Sequence, residues 1–234
     1  MKRKIKPEHK LVTHILKDSV SGLPIRPEIA SDPMFRRQEK CDEAANYIYT
    51  ALYVLGMPMD NENFRDTHTR FTKYLQEFLT GAGETTKDLL KTGFTASKHE
   101  YKGMVAQFNI PFRTICPHHL LPVIGRAHVG YVPNARVVGL SKLARLVIGV
   151  GKELPRMQED LTDRIADIMQ EGLEAKGVIV VISATHMCME GRGVSVQGVP
   201  TSTSTIRGVF RDVPSAREEF FRLLETNHIN GLVK

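Results

Sequence analysis

The sequence has few cysteines, no tryptophan and no long apolar run. Its cysteines, Cys41, Cys116 and Cys188, are odd in number and lack the spacing of a disulfide framework. The longest apolar stretches, such as Gly177 to Ala184, are far too short to span a bilayer. The basic N-terminus lacks the apolar segment of a secretory signal. We therefore expect a cytoplasmic protein that does not enter the membrane and has thiols free to bind a metal.

The charge balance is basic, with a formal net charge of +6 over 234 residues. Such a balance suits a nucleoside triphosphate, a nucleic acid or a membrane surface. Four of the basic residues lie in the first six positions, where a disordered tail also explains them. A nucleic-acid binder is disfavoured, because the sequence has no zinc-finger spacing, no aromatic-studded basic strand and no recognition helix.

The first part of the chain is expected to be an extension followed by two helices. Residues 1–35 carry four prolines and little periodicity, so we interpret them as an N-terminal extension. Apolar residues at spacings of three and four predict a helix from Asp42 to Gly56. A second helix is predicted from Asp66 to Leu79, before two glycines. The main domain is predicted to span residues 36–228 and to include these helices.

The pattern changes to strands and longer helices near Gly103. Strands are predicted from β-branched and apolar residues at Met104 to Ile110, Gly125 to Val132, Gly177 to Ala184 and Thr205 to Phe210. Helices are predicted from Ser141 to Gly177, with an interruption around Gly149 to Pro155, and from Pro214 to Leu224. This order predicts an α+β domain in which helices pack on one face of an antiparallel sheet.

A first possible metal-binding motif is Cys116-Pro117-His118-His119. A thiolate and an imidazole three residues apart suit Zn²⁺, which accepts sulfur and nitrogen ligands in tetrahedral geometry. The motif alone is weak, because a turn with hydrogen-bonded histidines has the same residues.

A second motif, Thr185-His186-Met187-Cys188, follows the predicted strand at Gly177. If the strand continues, His186 and Cys188 point to the same face. A free cysteine is more often a small core residue, and Cys41 is interpreted in that way. Together, Cys116, His119 and Cys188 would give the three protein ligands of a catalytic zinc site. His118 and His186 would then be free for proton transfer, although His186 as a fourth ligand would make a closed structural site.

An anion site is predicted where a helix begins at Ser141-Lys142-Leu143-Ala144-Arg145. Ser141 is expected to be the N-cap, and helix N-termini favour anions. Arg192, between two glycines, and Arg70 are further candidates, since a guanidinium can bond two phosphate oxygens. A solvated helix face and an ordinary loop are the alternatives.

These residues resemble the GTP cyclohydrolase I family over about Asp42 to Leu224. The resemblance is densest in a few separate motifs that occur in the family's order. They are Ile110-Pro111-Phe112, Cys116 to Pro122, Gly139 to Arg145, Gln158 to Thr162, His186 to Met189 with Arg192-Gly193-Val194, Gly208-Val209-Phe210 and Arg217 to Phe220.

The resemblance implies a role for each matching residue. Zinc ligands are implied at Cys116, His119 and Cys188, and acid/base histidines at His118 and His186. Glu159 matches the carboxylate that holds guanine. Positions near the triphosphate are matched by Ser141, Lys142, Arg145, Arg192 and Arg70.

The resemblance also implies the tunnelling fold, assembly as a decamer of two pentamers, and conversion of GTP to 7,8-dihydroneopterin triphosphate and formate.

Three departures from the family's pattern are visible. Pro117 stands where the family commonly has Glu, His68 replaces a common Pro, and one residue is inserted between Arg145 and Glu159. None removes a metal ligand. A related tunnelling-fold enzyme acting on another purine or pterin, and a non-catalytic zinc-binding protein, are the alternatives.

Overall fold

The computed structural model describes residues 38–79, 86–90, 93–95, 101, 103–134 and 136–229. The predicted extension over residues 1–35 lies outside these ranges. The chain divides into two compact units, Met1–Thr80 and Gly81–Lys234. The domain predicted over residues 36–228 therefore includes parts of both.

Two helices form the described part of the first unit, α1 (Gln38–Val54) and α2 (Thr67–Leu79). Both predicted helices are confirmed, although α1 begins before the predicted Asp42. Ala45 and Phe78 are buried, and the rings of Tyr74 and Phe78 meet edge to face with centroids 5.3 Å apart. Cys41 on α1 contacts the amide of Gln76 on α2, in keeping with its structural interpretation.

Six strands and five helices make up the described part of the second unit, besides a 3₁₀ turn at Thr86–Leu90. The strands are β1 (Gly93–Thr95), β2 (Val105–Ile115), β3 (Pro122–Val132), β4 (Arg136–Val138), β5 (Gly177–His186) and β6 (Thr201–Gly208). The helices are α3 (Leu140–Gly151), α4 (Gln158–Leu173), α5 (Met187–Glu190), α6 (Val209–Asp212) and α7 (Pro214–Ile229).

The main sheet is antiparallel and has the order β2-β3-β5-β6, while β1 pairs with β4 in a separate small sheet. The predictions of β2, β3 and β5 are confirmed with shifted ends. The prediction for the last strand was wrong in its bounds, because it placed the strand at Thr205 to Phe210. Pairing with β5 instead begins at Thr201 and stops at Gly208, whose positive φ of 53° turns the chain into α6 and buries Phe210.

Helices α3 and α4 pack against one face of the main sheet. Alternate residues of β5 point to this face and are buried there, namely Val178, Val180 and Ile182. They pack against apolar residues that recur at helical spacing along α3 and α4. The helical residues are Leu143, Leu146, Val147, Val150, Leu161, Ile165 and Met169. Burial of each such side chain contributes about 1.5–3 kcal/mol. The predicted α+β class, an antiparallel sheet with packed helices, is confirmed.

A smaller apolar cluster lies on the opposite face of the same sheet. Ile179 is packed with Phe210 of α6 and Phe220 of α7, and all three are buried. A Cβ at Gly130 would come within 2.9 Å of the Phe220 ring, so this glycine lets α7 approach β3. The two clusters hold both faces of β5 in place, and β5 leads directly to the site described below. Within the described residues, no helix is both long and apolar enough to cross a membrane.

Candidate metal centre

Strand pairing brings the two predicted metal-binding motifs to the same end of the main sheet. Val123 of β3 pairs with Thr114 of β2 on one side and with His186 of β5 on the other. Cys116 follows Thr114 by two residues and Cys188 follows His186 by two residues. Two segments about 70 positions apart in the sequence therefore end side by side.

Main-chain hydrogen bonds fix the position of Cys116 directly after β2. Its N–H donates to the carbonyl of Leu121 at 2.9 Å, and its carbonyl accepts from the N–H of Leu120 at the same distance. Leu120 has a positive φ of 53°, which closes the turn. Cys116 is buried, whereas His118 and His119 on the turn are exposed.

Cys188 reaches the site by a different route from the predicted one. The interpretation of His186 and Cys188 as neighbours on one face of a strand was wrong, because β5 ends at His186. The chain then enters the short helix α5, which carries Cys188 and ends where the Gly191 N–H donates to the Met187 carbonyl at 2.8 Å. The turn still leaves both side chains in one group.

The ligand atoms of Cys116, His186 and Cys188 all lie within 4.8 Å of one another. Ligands at 2.0–2.3 Å from a tetrahedral ion are separated by roughly 3.3–3.8 Å, so small movements suffice to bring these atoms onto one ion. Burial raises the pKa of Cys188, and its hydrogen bond to Cys116 and the charge of Cys116 raise it further. Two thiols held this close are more stable as thiolates when a cation lies between them. The donor set therefore fits Zn²⁺.

His186 is half-buried and hydrogen-bonded at the edge of the group. Its Nε2 lies 2.8 Å from Oε1 of Gln158 on α4. Burial lowers the pKa of His186, and the charge of Glu159 partly opposes that effect. Burial thus favours the neutral imidazole, which has a lone pair to offer. Gln158 was not among the predicted site residues, and its residue type gives no signal of such a role.

His119 lies outside this group of three in the structure. Its Nε2 contacts Nη1 of Arg192, in the exposed segment that follows α5. A guanidinium only donates, so Nε2 of His119 holds a lone pair toward Arg192. The Nδ1 of His118 lies 3.7 Å from the sulfur of Cys116. Of the three predicted ligands, the structure thus brings Cys116 and Cys188 together, and the role of His119 stays a prediction.

The predicted anion-binding residues lie on two helices, α3 and α2, and in the segment after α5. Ser141 and Arg145 are exposed on α3 and Lys142 is half-buried. The prediction of Ser141 as N-cap was wrong, because the helix begins one residue earlier and its N-cap is Gly139, without a side-chain hydrogen bond. Ser141 instead lies in the first turn.

The other three predicted substrate residues, Glu159, Arg70 and the Arg192 described above, are exposed. Glu159 lies in the first turn of α4 and acts on His186 through its charge. Arg70 lies on α2 in the first unit, where its Nη2 is 3.7 Å from Oδ2 of Asp66.

Comparison with known proteins gives matches over most of the chain. A family model described as GTP cyclohydrolase I matches residues 44–225. A protein named GTP cyclohydrolase 1 from Campylobacter jejuni (strain RM1221) is 42% identical over 180 residues, which is 76% of this chain and 93% of that protein. One named GTP cyclohydrolase 1 2 from Nostoc sp. (strain PCC 7120) is 44% identical over 186 residues, 79% of this chain and 84% of the relative. A GTP cyclohydrolase 1 from Carboxydothermus hydrogenoformans is 41% identical over 188 residues, 80% of this chain and 94% of the relative.

Proposed function

This chain belongs to the GTP cyclohydrolase I family, and we propose that it is a zinc-dependent enzyme that converts GTP to 7,8-dihydroneopterin triphosphate and formate. The observation that carries the proposal is the gathering of two thiols and an imidazole from distant segments, within a chain that matches the family model over residues 44–225. In the overall reaction, one water is consumed and C8 of the guanine leaves as formate.

The metal ligands that we propose are Cys116, His119 and Cys188, and the side chain of His119 must turn from Arg192 to join the two sulfurs. Three protein ligands would leave one position on a zinc ion open to water. A zinc ion held there would lower the pKa of water bound to it toward about 7, and would thus supply a nucleophile near neutral pH. Both sulfurs bind as thiolates.

The proton carriers that we propose are His118 and His186, each of which lies two residues from one of the two cysteines in the sequence. His118 has a ring nitrogen 3.7 Å from the Cys116 sulfur, and His186 is grouped with both sulfurs. An imidazole both gives and takes protons near pH 7. Attack at C8 requires a proton on a ring nitrogen of the purine, and release of formate requires a second transfer. The ribose then opens, rearranges and recloses onto the freed amines.

Recognition of guanine is assigned to Glu159, which shares the first turn of α4 with Gln158. Its charge acts on His186, so the carboxylate is close to the proposed chemistry. A carboxylate accepts hydrogen bonds from the N–H groups on the Watson–Crick edge of guanine. Adenine presents no such pair of donors there, so its binding would leave the carboxylate unpaired, which disfavours it strongly.

Binding of the triphosphate is assigned to the start of α3 and to the arginines. Helix α3 begins without a side-chain cap, and uncapped N–H groups at a helix N-terminus attract anions. Lys142 and Arg145 add positive charge to that turn. Arg192 acts from the segment beyond Cys188, and Ser141 and Arg70 complete the proposed set.

We also propose that the chain assembles as a homodecamer of two pentamers, as the family resemblance implies. Within the described part of the main sheet, β2 and β6 are the outer strands. An open edge of an antiparallel sheet is a ready partner for a strand of a second subunit. The mass of the native particle, measured by light scattering, tests this proposal.

The experiment that tests the activity is incubation of the zinc-loaded protein with GTP, followed by measurement of formate and of the fluorescent oxidised pterin. We expect both products in equal amounts from GTP and neither from ATP. Cys41→Ala is the matched control for Cys116→Ala, because Cys41 lies on α1 in the other unit. Formation of neither product by the zinc-loaded protein would refute the proposal.

One observation favours a second candidate, a closed zinc site without catalysis. His186, and not His119, is grouped with the two cysteines in the structure. The two candidates differ in which histidine variant loses zinc. Our proposal expects His119→Ala to lower the zinc content and His186→Ala to retain zinc while losing formate release. Loss of zinc from His186→Ala alone would favour the closed site.

A further inference from the structure

The side chain of Gln158 is buried at the point where α4 meets β5 and β6. It is 5% exposed and lies at the first position of α4. It contacts His186 through one end of its amide and β6 through the other. An amide has one end that only accepts hydrogen bonds and one that only donates. The orientation of the amide therefore decides which nitrogen of His186 carries a proton.

The contacts with β6 identify the donating end. One partner is the main-chain carbonyl oxygen of Thr201, 2.9 Å away, and the other is the hydroxyl of Thr203, 3.1 Å away. A carbonyl oxygen only accepts, so the amide nitrogen must face Thr201. The reversed amide would place two oxygens against each other in a buried position.

The hydroxyl of Thr203 is also fixed as an acceptor from Gln158. Thr162 on α4 donates its hydroxyl proton to the main-chain carbonyl of Gln158 at 2.7 Å. The hydroxyls of Thr162 and Thr203 are 2.6 Å apart, so Thr203 must supply the proton between them. Its lone pairs are then left for the amide of Gln158. Each proton in this series of hydrogen bonds therefore has one consistent position.

The accepting end of Gln158 consequently faces His186. Oε1 lies 2.8 Å from Nε2 of the imidazole and has no proton to give. We propose that Gln158 is a positioning residue that fixes His186 as the tautomer with its proton on Nε2 and its lone pair on Nδ1. The reactive nitrogen of His186 is therefore Nδ1.

The tautomer of His186 follows from the hydrogen bonds alone. Only the role of Nδ1 in the reaction rests on the proposed function. A base or a metal ligand uses the unprotonated nitrogen of the imidazole, and a proton accepted there is later given up from the same nitrogen. Partners that hold the other ring N–H fix the orientation of the ring, and their loss typically lowers activity or metal affinity by about 10- to 100-fold.

The direct test is solid-state ¹⁵N NMR of the full-length, zinc-loaded protein with labelled histidine rings at pH 8, where a neutral ring is observed. The signals of His186 are identified by their loss in His186→Ala. We expect a proton on Nε2, close to the Gln158 amide, and none on Nδ1. A proton on Nδ1 in the wild-type protein would overturn the inference, whatever the enzyme does with GTP.

Two variants separate positioning from packing. Gln158→Glu keeps an acceptor for the Nε2 proton, whereas Gln158→Leu removes it. We expect Gln158→Leu to spread His186 over both tautomers and to lower kcat about 10- to 100-fold, with KM for GTP little changed. Gln158→Glu should keep the proton on Nε2 but lower the melting temperature, because its second carboxylate oxygen faces the main-chain carbonyl of Thr201.

The matched control is Gln170→Leu, which removes another α4 glutamine that donates to a main-chain carbonyl, that of Ala175. We expect this variant to keep the tautomer and kcat. If Gln158→Leu also kept the single tautomer, Gln158 would only tie α4 to β6 and the positioning role would be wrong. If the tautomer behaves as expected but no variant or wild-type protein releases formate, the positioning role stands and the proposed function fails.

Discussion

The close approach of β3 and β5 at Gly125 leads to a sharp prediction for Gly125→Ala. Gly125 pairs with Phe112 of β2 and with Ala184 of β5. A Cβ built at this position would lie 2.5 Å from the main-chain oxygen of Ser183, 2.6 Å from the Cβ of Ala184 and 2.8 Å from a ring carbon of Phe112. Because two of these atoms are held by the backbone, no change of rotamer relieves the clash.

The size of the effect follows from the distances. Ordinary van der Waals contact begins near 3.4 Å, so the strands must separate by about 0.9 Å. Overpacking of this kind costs about 1–3 kcal/mol. For a domain of this size each kcal/mol lowers the melting temperature by about 2–4 °C, so we expect a decrease of about 2–12 °C. Ala184 precedes His186 by two residues, and a misplacement near 1 Å lowers turnover by as much as about 10²-fold.

The assays are thermal unfolding followed by circular dichroism and formate release from GTP. Gly191→Ala is the matched control, because this exposed glycine has a negative φ and its added Cβ meets only the Met187 carbonyl, at 3.2 Å. We expect the control to keep the wild-type melting temperature within a few degrees. A Gly125→Ala variant as stable and as active as the control would refute the reasoning from the strand contact.

Three further predictions concern other parts of the second unit. Phe220→Ala should lower the free energy of unfolding by about 3–5 kcal/mol, measured in urea, because this ring is fully buried; an unchanged transition midpoint would contradict the packing described here. Asp163→Asn should destabilise by about 0.5–1 kcal/mol at pH 7. The hydrogen bond from Thr205, followed by that from Arg207, lowers the pKa of Asp163. This stabilisation is therefore complete above the unfolded pKa of about 3.9 and is lost as the pH falls through the lower folded pKa. A difference in melting temperature between Asp163→Asn and wild type that persisted at pH 2 would contradict this prediction. Arg192→Ala should weaken binding of GTP more than binding of guanosine, in calorimetric titrations, and equal losses would argue against a phosphate role.

Much of the fold follows from periodicity in the sequence. The helices that bury Leu161, Ile165 and Met169 repeat at three and four residues, and β5 is rich in β-branched residues. The bounds of β6 were not predictable in this way, because its first residues alternate Thr and Ser. What makes that segment a strand is its pairing with β5, which is a long-range property of the fold.

The candidate site was predictable in its chemistry and less so in its geometry. The cysteines and histidines were candidates for metal ligands and proton carriers from residue type and family resemblance, and the structure brings Cys116, His186 and Cys188 together. Their convergence depends on the alignment of Thr114, Val123 and His186 across three strands, which no local pattern contains. Gln158 begins one of the motifs that resemble the family, but the role of its amide is visible only from the elements that surround it.

The most direct test of the account is to measure zinc content and formate release together in wild-type, Cys116→Ala and Cys188→Ala proteins, with Cys41→Ala as the control. We expect one zinc per chain and formate release in the wild-type and Cys41→Ala proteins, and neither in the two site variants. Formate release at the wild-type rate from a chelated, zinc-free Cys116→Ala or Cys188→Ala protein would contradict it.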